Sequence, residues 1–195
     1  MEQLKCLICG MNINLKNYRL NENTFLEKNE EEHIINCPFC GVGKVYLDNN
    51  KALFKVESKE LDEETLKVLD KAMKLEVFNG EFYKEASELA KNNEIKELFK
   101  ELSSVEFMHA RVHKMLGGFK EMPKLHKPDY TKYDSDDLLL EEARKREKHA
   151  IEFYNKNSKV VCSNVVKEVL KALSHVEKQH EIIAESRKEK TLEVT

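Results

Sequence analysis

Tryptophan is absent from the 195 residues, and proline and glycine are scarce, at three and six. With so few breakers, long stretches can stay helical, and a loop-dominated Pro/Gly architecture is excluded. No apolar run approaches the ~20 residues of a membrane span. The opening Met1-Glu-Gln-Leu-Lys-Cys6 lacks the apolar core of a secretion signal. There is no basic block, and 33 Lys+Arg against 36 Asp+Glu leave a net charge of −3. Nucleic acid and membrane are therefore not expected as partners, and the expected compartment is the cytoplasm. Charged residues at 35% and hydrophobic ones at 41% fit a packed core under a heavily charged surface. The length suits one ordinary domain plus a small one.

Cysteine is rare but patterned. Four of the five lie in Cys6-Leu-Ile-Cys9-Gly10 and Cys37-Pro-Phe-Cys40-Gly41, with 27 residues between the pairs. In a reducing compartment two such pairs favour a metal over disulfides. Four thiolates form a tetrahedral site that takes zinc or a single iron. The glycine after each pair lets the chain curl, so that backbone N–H groups can face the sulfurs. Residues 1–52 are thus expected to be a metal module of short strands and loops, with apolar stretches at Met11–Leu15 and Val42–Leu47. Tyr18, Phe25, Ile34, Ile35 and Tyr46 would supply its core, one too small to hold without metal. Cys162 stands alone and is expected to be a small buried residue.

Residues 61–190 read as helices. Asp62 is a plausible cap with Glu63 and Glu64 behind it. Leu69, Met73, Glu76, Gly80 and Tyr83 then advance in steps of three and four, a buried seam. The unusual member is Glu76, because an isolated buried carboxylate is costly. A second helix carries Glu106-Phe-Met-His109 and ends at Gly117-Gly118. Residues 117–137, with Pro123 and Pro128, are too long for a hairpin and suit a crossover running the length of a bundle. A third helix carries Glu147 and Tyr154, and a fourth carries Glu177-Lys-Gln-His180.

The two halves repeat. Thirty residues separate Glu76 from Glu106 and Glu147 from Glu177, and an offset of 71 maps one half on the other. Glu81-Phe82-Tyr83 then falls on Glu152-Phe153-Tyr154. A lone Glu from two helices and Glu-x-x-His from the other two is the ligand set of ferritin-like di-iron or di-manganese bundles. Four carboxylates against two divalent ions leave the buried site neutral. Tyr83 and Tyr154, two turns from the lone glutamates, are candidates to hydrogen-bond them from behind, though plain core packing serves as well. His113 reads as supporting or core, and His149 and His175 as surface.

The cysteine pattern resembles rubredoxin, with a structural zinc ribbon as the alternative. Joined to this bundle it resembles the rubrerythrin family, with the small module first rather than last. That resemblance implies a mainly α, ferritin-like four-helix fold and two iron (or manganese) ions held by Glu76, Glu106, His109, Glu147, Glu177 and His180. It also implies one iron or zinc on Cys6, Cys9, Cys37 and Cys40. It further implies reduction of hydrogen peroxide or O2, with electrons relayed through the cysteine site from a donor protein or reductase. A head-to-tail homodimer is expected, to bring the cysteine site of one subunit to the bundle of the other. One departure matters: peroxidase-type members carry an extra Glu three residues after the lone Glu of the third helix, where this chain has Ala150. A metal-handling protein with structural zinc is the alternative function.

Overall fold

A computed structural model describes residues 3–126 and 128–193. Four helices dominate: α1 (Glu63–Leu89), α2 (Asn93–Gly117), α3 (Asp136–Asn157) and α4 (Asn164–Glu193). They are preceded by a two-stranded antiparallel ribbon, β1 (Leu4–Lys5) with β2 (Asn12–Ile13). No helix among the described residues is long and apolar enough to cross a membrane.

The helix ends follow from local chemistry. The Asp62 carboxylate accepts from the Thr65 N–H at 2.7 Å and opens α1. Asn92 caps α2 by accepting from Glu94 N at 2.7 Å, so α1 and α2 form a tight hairpin. The Asp136 carboxylate accepts from the backbone N–H of Lys91 and Asn92 at 2.8 and 2.9 Å, tying that hairpin turn to the start of α3. Gly118 closes α2 with φ of 66°, a left-handed cap that glycine adopts without penalty. Ser135 caps α3 through Leu138 N, and Ser163 does the same for α4 through Val166 N. The last helix runs past residue 190 as far as Glu193, held by Arg187–Glu94 at 2.7 Å and Lys188–Glu141 at 2.8 Å. Residues 194 and 195 lie outside the described residues.

The crossover is anchored by Tyr130, which is buried and packs edge-on against Phe82 at 5.3 Å. The Arg146 guanidinium lies 4.1 Å from the centre of the Phe82 ring and 4.6 Å from that of Phe78. Two apolar clusters fill the bundle. One, with Phe82, Phe99, Leu102, Leu139 and Leu140, lies at the crossover end. The other, with Leu69, Val112, Leu116, Val169 and Leu170, continues without a break into Cys6, Ile8, Ile13, Ile34 and Val42 of the cysteine module. The module therefore has no separate core; it completes that of the bundle.

Two expectations change and one is extended. Val42–Leu47 is not a strand. It meets its neighbours only by single bridges, Asn36 with Gly43 and Cys6 with Leu47, while Lys44–Tyr46 curl into a 3-10 turn. The expected Tyr18, Phe25, Ile34 and Tyr46 do pack into the module, but the polar segment between the cysteine pairs is organised as well by Asn29. Its amide donates to the carbonyls of Tyr18 and Asn36 and accepts from Ile35 N and Asn36 N. Cys162 is exposed, not buried, because it lies in the α3–α4 turn, where its N–H donates to Thr65 Oγ1 at 2.9 Å.

Candidate metal centres

The four cysteines converge. Their Sγ atoms lie within 4.8 Å of one another, with Cys6–Cys40 at 3.6 Å and Cys9–Cys37 at 3.7 Å. A tetrahedron with metal–sulfur bonds of about 2.3 Å has edges of about 3.8 Å, so the donor set fits one tetrahedral ion. Gly10 and Gly41 take φ of +78° and +73°, the conformation that turns each knuckle. Gly10 N donates to the Cys6 carbonyl and Gly41 N to the Cys37 carbonyl, both at 2.9 Å. Burial pushes the Cys37 and Cys40 thiols up, while hydrogen bonding from its sulfur neighbours draws Cys6 down. Such a cluster holds its thiolates only with a cation among them. The two knuckles differ in setting: Cys9 is half-buried, whereas Cys40 is fully buried against the bundle.

The six Glu and His side chains of the seam also converge, all fully buried. They form two overlapping groups of ligand atoms, each within 4.8 Å: Glu76, Glu106, His109 and Glu177, and Glu106, Glu147, Glu177 and His180. Glu106 and Glu177 are shared, which is the arrangement of bridging carboxylates. Glu76 with His109, and Glu147 with His180, each belong to one group and would be the terminal pairs. His109 Nδ1 lies 3.0 Å from Glu177, and His180 Nδ1 lies 3.1 Å from Glu177 and 3.3 Å from Glu106.

Polar atoms left over test whether a metal belongs here. Glu76 Oε2, both Glu106 oxygens, Glu147 Oε2, Glu177 Oε1 and His109 Nδ1 are buried with no hydrogen-bond partner. Each such atom in a dry interior costs about 1–3 kcal/mol, more if charged, so together they demand a cation. Burial and the neighbouring Glu106 push the Glu76 and Glu147 carboxyls up. Against the same burial, the close approach of Glu76, His109 and His180 holds Glu106 down. The charge pattern is that of carboxylates crowded together without their counter-ion. Hard oxygen donors with two imidazoles suit iron or manganese.

The tyrosines support the cluster from behind, each across the bundle. The Tyr83 hydroxyl donates to Glu147 and the Tyr154 hydroxyl to Glu76. Burial raises both phenol pKa values, so the protons stay in place. The halves then diverge. Tyr154 is backed by His113, whose Nε2 lies 2.8 Å from its hydroxyl. Burial first and then His109 push His113 down to about 3, so it is neutral. Tyr83 is instead stacked on Phe99 at 5.8 Å. His149 and His175 are exposed, as expected.

Four contributors were not visible in the sequence. His109 Nε2 donates to the backbone carbonyl of Cys40 at 2.9 Å, so a side chain of one cluster touches a cysteine of the other. This bond fixes the imidazole tautomer and leaves Nδ1 facing the carboxylates. Gly41 packs so closely that an added Cβ would meet Val176 Cγ1 at 2.6 Å. Glu101 accepts from Asn23 N at 2.7 Å and from Asn23 Nδ2 at 2.9 Å, and Glu168 accepts from the Tyr46 hydroxyl at 2.8 Å. Together these contacts seat the cysteine module on its own bundle. The two clusters adjoin within one chain, and no second subunit is needed for them to touch.

A family model described as Rubrerythrin matches residues 67–187, most of the four helices. No curated protein matches the chain. Among solved structures, a hypothetical protein from Pyrococcus furiosus is similar at 24% identity with a TM-score of 0.50. The match covers 69% of this chain and 93% of that one, and it bears on the fold alone.

Proposed function

The chain belongs to the rubrerythrin family, whose members are ferritin-like di-iron proteins, and from that premise we propose that it reduces hydrogen peroxide or O2 with electrons relayed inside a single chain. Cys6, Cys9, Cys37 and Cys40 would hold one iron. Glu76, Glu106, His109, Glu147, Glu177 and His180 would hold two more. Irons held there would supply two-electron reduction in the bundle and one-electron transfer at the cysteines. The observation that carries the proposal is the hydrogen bond from His109 Nε2 to the Cys40 carbonyl. A structural zinc module would need no contact with a ligand of the bundle; an electron relay does.

The remaining residues position the ligands. Glu106 and Glu177 would serve both metals and Glu76 and Glu147 one each, and the buried layer excludes bulk water. The Tyr83 and Tyr154 hydroxyls keep their protons and hold the Glu147 and Glu76 carboxylates by hydrogen bonds, and the neutral His113 orients Tyr154. The partly exposed Cys9 knuckle is where a donor protein or reductase would deliver electrons. A homodimer would be an assembly of two self-sufficient units.

A second reading rests on Ala150, which is fully buried where peroxidase-type relatives carry a glutamate. On that reading the bundle handles iron with little turnover and the cysteine site holds zinc. Metal analysis with an optical spectrum separates the two. The proposal expects three irons per chain and a thiolate-to-iron band that bleaches on reduction and returns when peroxide is mixed in. One zinc and two irons, with no such band, would establish the second reading instead.

A further inference from the structure

The two halves of the bundle offer the same inner donors. Each group has the shared Glu106 and Glu177, one terminal carboxylate and one imidazole. The two imidazole rings lie nearly parallel, at 14°, with centres 6.4 Å apart. Both turn Nδ1 to the carboxylates, His109 at 3.0 Å and His180 at 3.1 Å from Glu177. On these donors alone the two positions are equivalent.

Behind the donors they are not. A neutral imidazole that binds an ion through Nδ1 carries its proton on Nε2. His109 Nε2 has the Cys40 carbonyl 2.9 Å away to accept that proton's hydrogen bond. His180 Nε2 is buried with no partner. Its Nδ1 instead lies in hydrogen-bond geometry to Glu177 Oε2 at 3.1 Å. The His180 ring therefore has an acceptor for its proton on the ligating side and none on the outer side, which disfavours the tautomer that ligation needs. The terminal glutamates differ in the same sense. Each receives one tyrosine hydroxyl, but the tyrosine on Glu76 is itself held by His113 at 2.8 Å, while the one on Glu147 is only stacked on Phe99.

Resting on the dinuclear reading above, we infer that the two metal positions differ in affinity. The position of Glu76 and His109 fills first and keeps its ion, and that of Glu147 and His180 is the weaker, exchangeable one. Cys40 then serves two ions by two groups. Its thiolate binds one, and its backbone carbonyl orients His109 for another that it does not touch.

Cobalt(II) is the probe. The full-length protein, with zinc already on its cysteines, is titrated with cobalt(II) against a chromogenic chelator, as are His180→Ala and His109→Ala, each left with one complete position. The first cobalt should bind His180→Ala about as tightly as the parent, and His109→Ala about 10–100-fold more weakly. Each variant takes a single ion, so repulsion between two cations does not enter the comparison. Circular dichroism checks that both stay helical. If either does not, Gly41→Ala decides with all six ligands in place. Its Cβ would meet Val176 Cγ1 at 2.6 Å and shift the Cys40 carbonyl, which should weaken the first cobalt step about tenfold and leave the second within about twofold. Affinities of the two histidine variants within about threefold of each other, or tighter binding by His109→Ala, overturn the inference and leave the dinuclear site standing, as do two steps that shift alike in Gly41→Ala. A parent protein that takes no cobalt into the bundle overturns both.

Discussion

Replacing Gly41 by alanine tests how the cysteine module is seated. Two costs apply. The residue sits at φ of +73°, where an L side chain costs roughly 1–2 kcal/mol. The new Cβ also meets Val176 Cγ1 at 2.6 Å, and forcing a methyl into a packed contact adds about 1–3 kcal/mol. Gly10 is a built-in control. It has nearly the same φ, +78°, but its Cβ would meet only Leu53 Cδ1, at an ordinary 3.7 Å. Gly10→Ala should therefore show the backbone cost alone and Gly41→Ala both. At roughly 2–4 °C per kcal/mol for a chain of this size, the extra term lowers Tm by roughly 2–12 °C. The assay is thermal unfolding of the zinc-loaded forms, which keeps redox chemistry out of the comparison. Val176→Ala in the Gly41→Ala background removes the clashing methyl and should recover the extra term only. Gly41→Ala should also lengthen the path from Cys40 to His109 and slow reoxidation of the cysteine iron by peroxide, while Gly10→Ala leaves it near the parent rate. Equal losses in the two alanine variants, or no relief from Val176→Ala, would refute the docking argument.

Three further outcomes follow from the site. Tyr154→Phe removes the donor to Glu76 and strands the buried His113 ring; it should cost about 1–3 kcal/mol of stability in a melt and more than Tyr83→Phe, whose ring keeps its stacking on Phe99. Acidification should strip the bundle metals early. The Glu76 and Glu147 carboxyls lie above their ordinary 4.5, so protons begin to compete with metal above pH 4.5 and win further as pH falls; retention of full metal down to that pH, followed with a chromogenic chelator, would contradict the site's electrostatics. Cys37→Ser should abolish the tetrahedral site and, because the module completes one end of the bundle core, lower the melting temperature of the helices as well as of the module.

The ligand layer was legible because its signal was periodic. Glu76, Glu106, His109, Glu147, Glu177 and His180 sit at helical spacing inside apolar seams and repeat at a fixed offset, and the structure brings all six together. The tyrosines were half legible: their spacing placed them two turns from a glutamate, but not that each would reach the glutamate of the other hairpin. The docking of the module was illegible. Its contacts include a backbone carbonyl of Cys40, the missing side chain of Gly41 and a methyl of Val176, none of which leaves a pattern in residue types, and the Asn23–Glu101 and Tyr46–Glu168 bonds join residues with no repeat or spacing to mark them. Cys162 was misjudged because burial of a lone cysteine is a tendency of composition, while its exposure follows from a turn.

The repeat gives the bundle two halves that could exchange places, each with its glutamate, its Glu-x-x-His and its tyrosine. The carbonyl of Cys40 ends that equivalence. One imidazole, His109, is held from outside by the neighbouring cluster, while the outer nitrogen of its counterpart, His180, has no partner. A duplicated scaffold thereby acquires polarity, with a near pair of ligands tied to the cysteine module by a hydrogen bond and a far pair tied to it only through Glu106 and Glu177. If the proposed relay operates, a single backbone oxygen sets the side from which electrons enter.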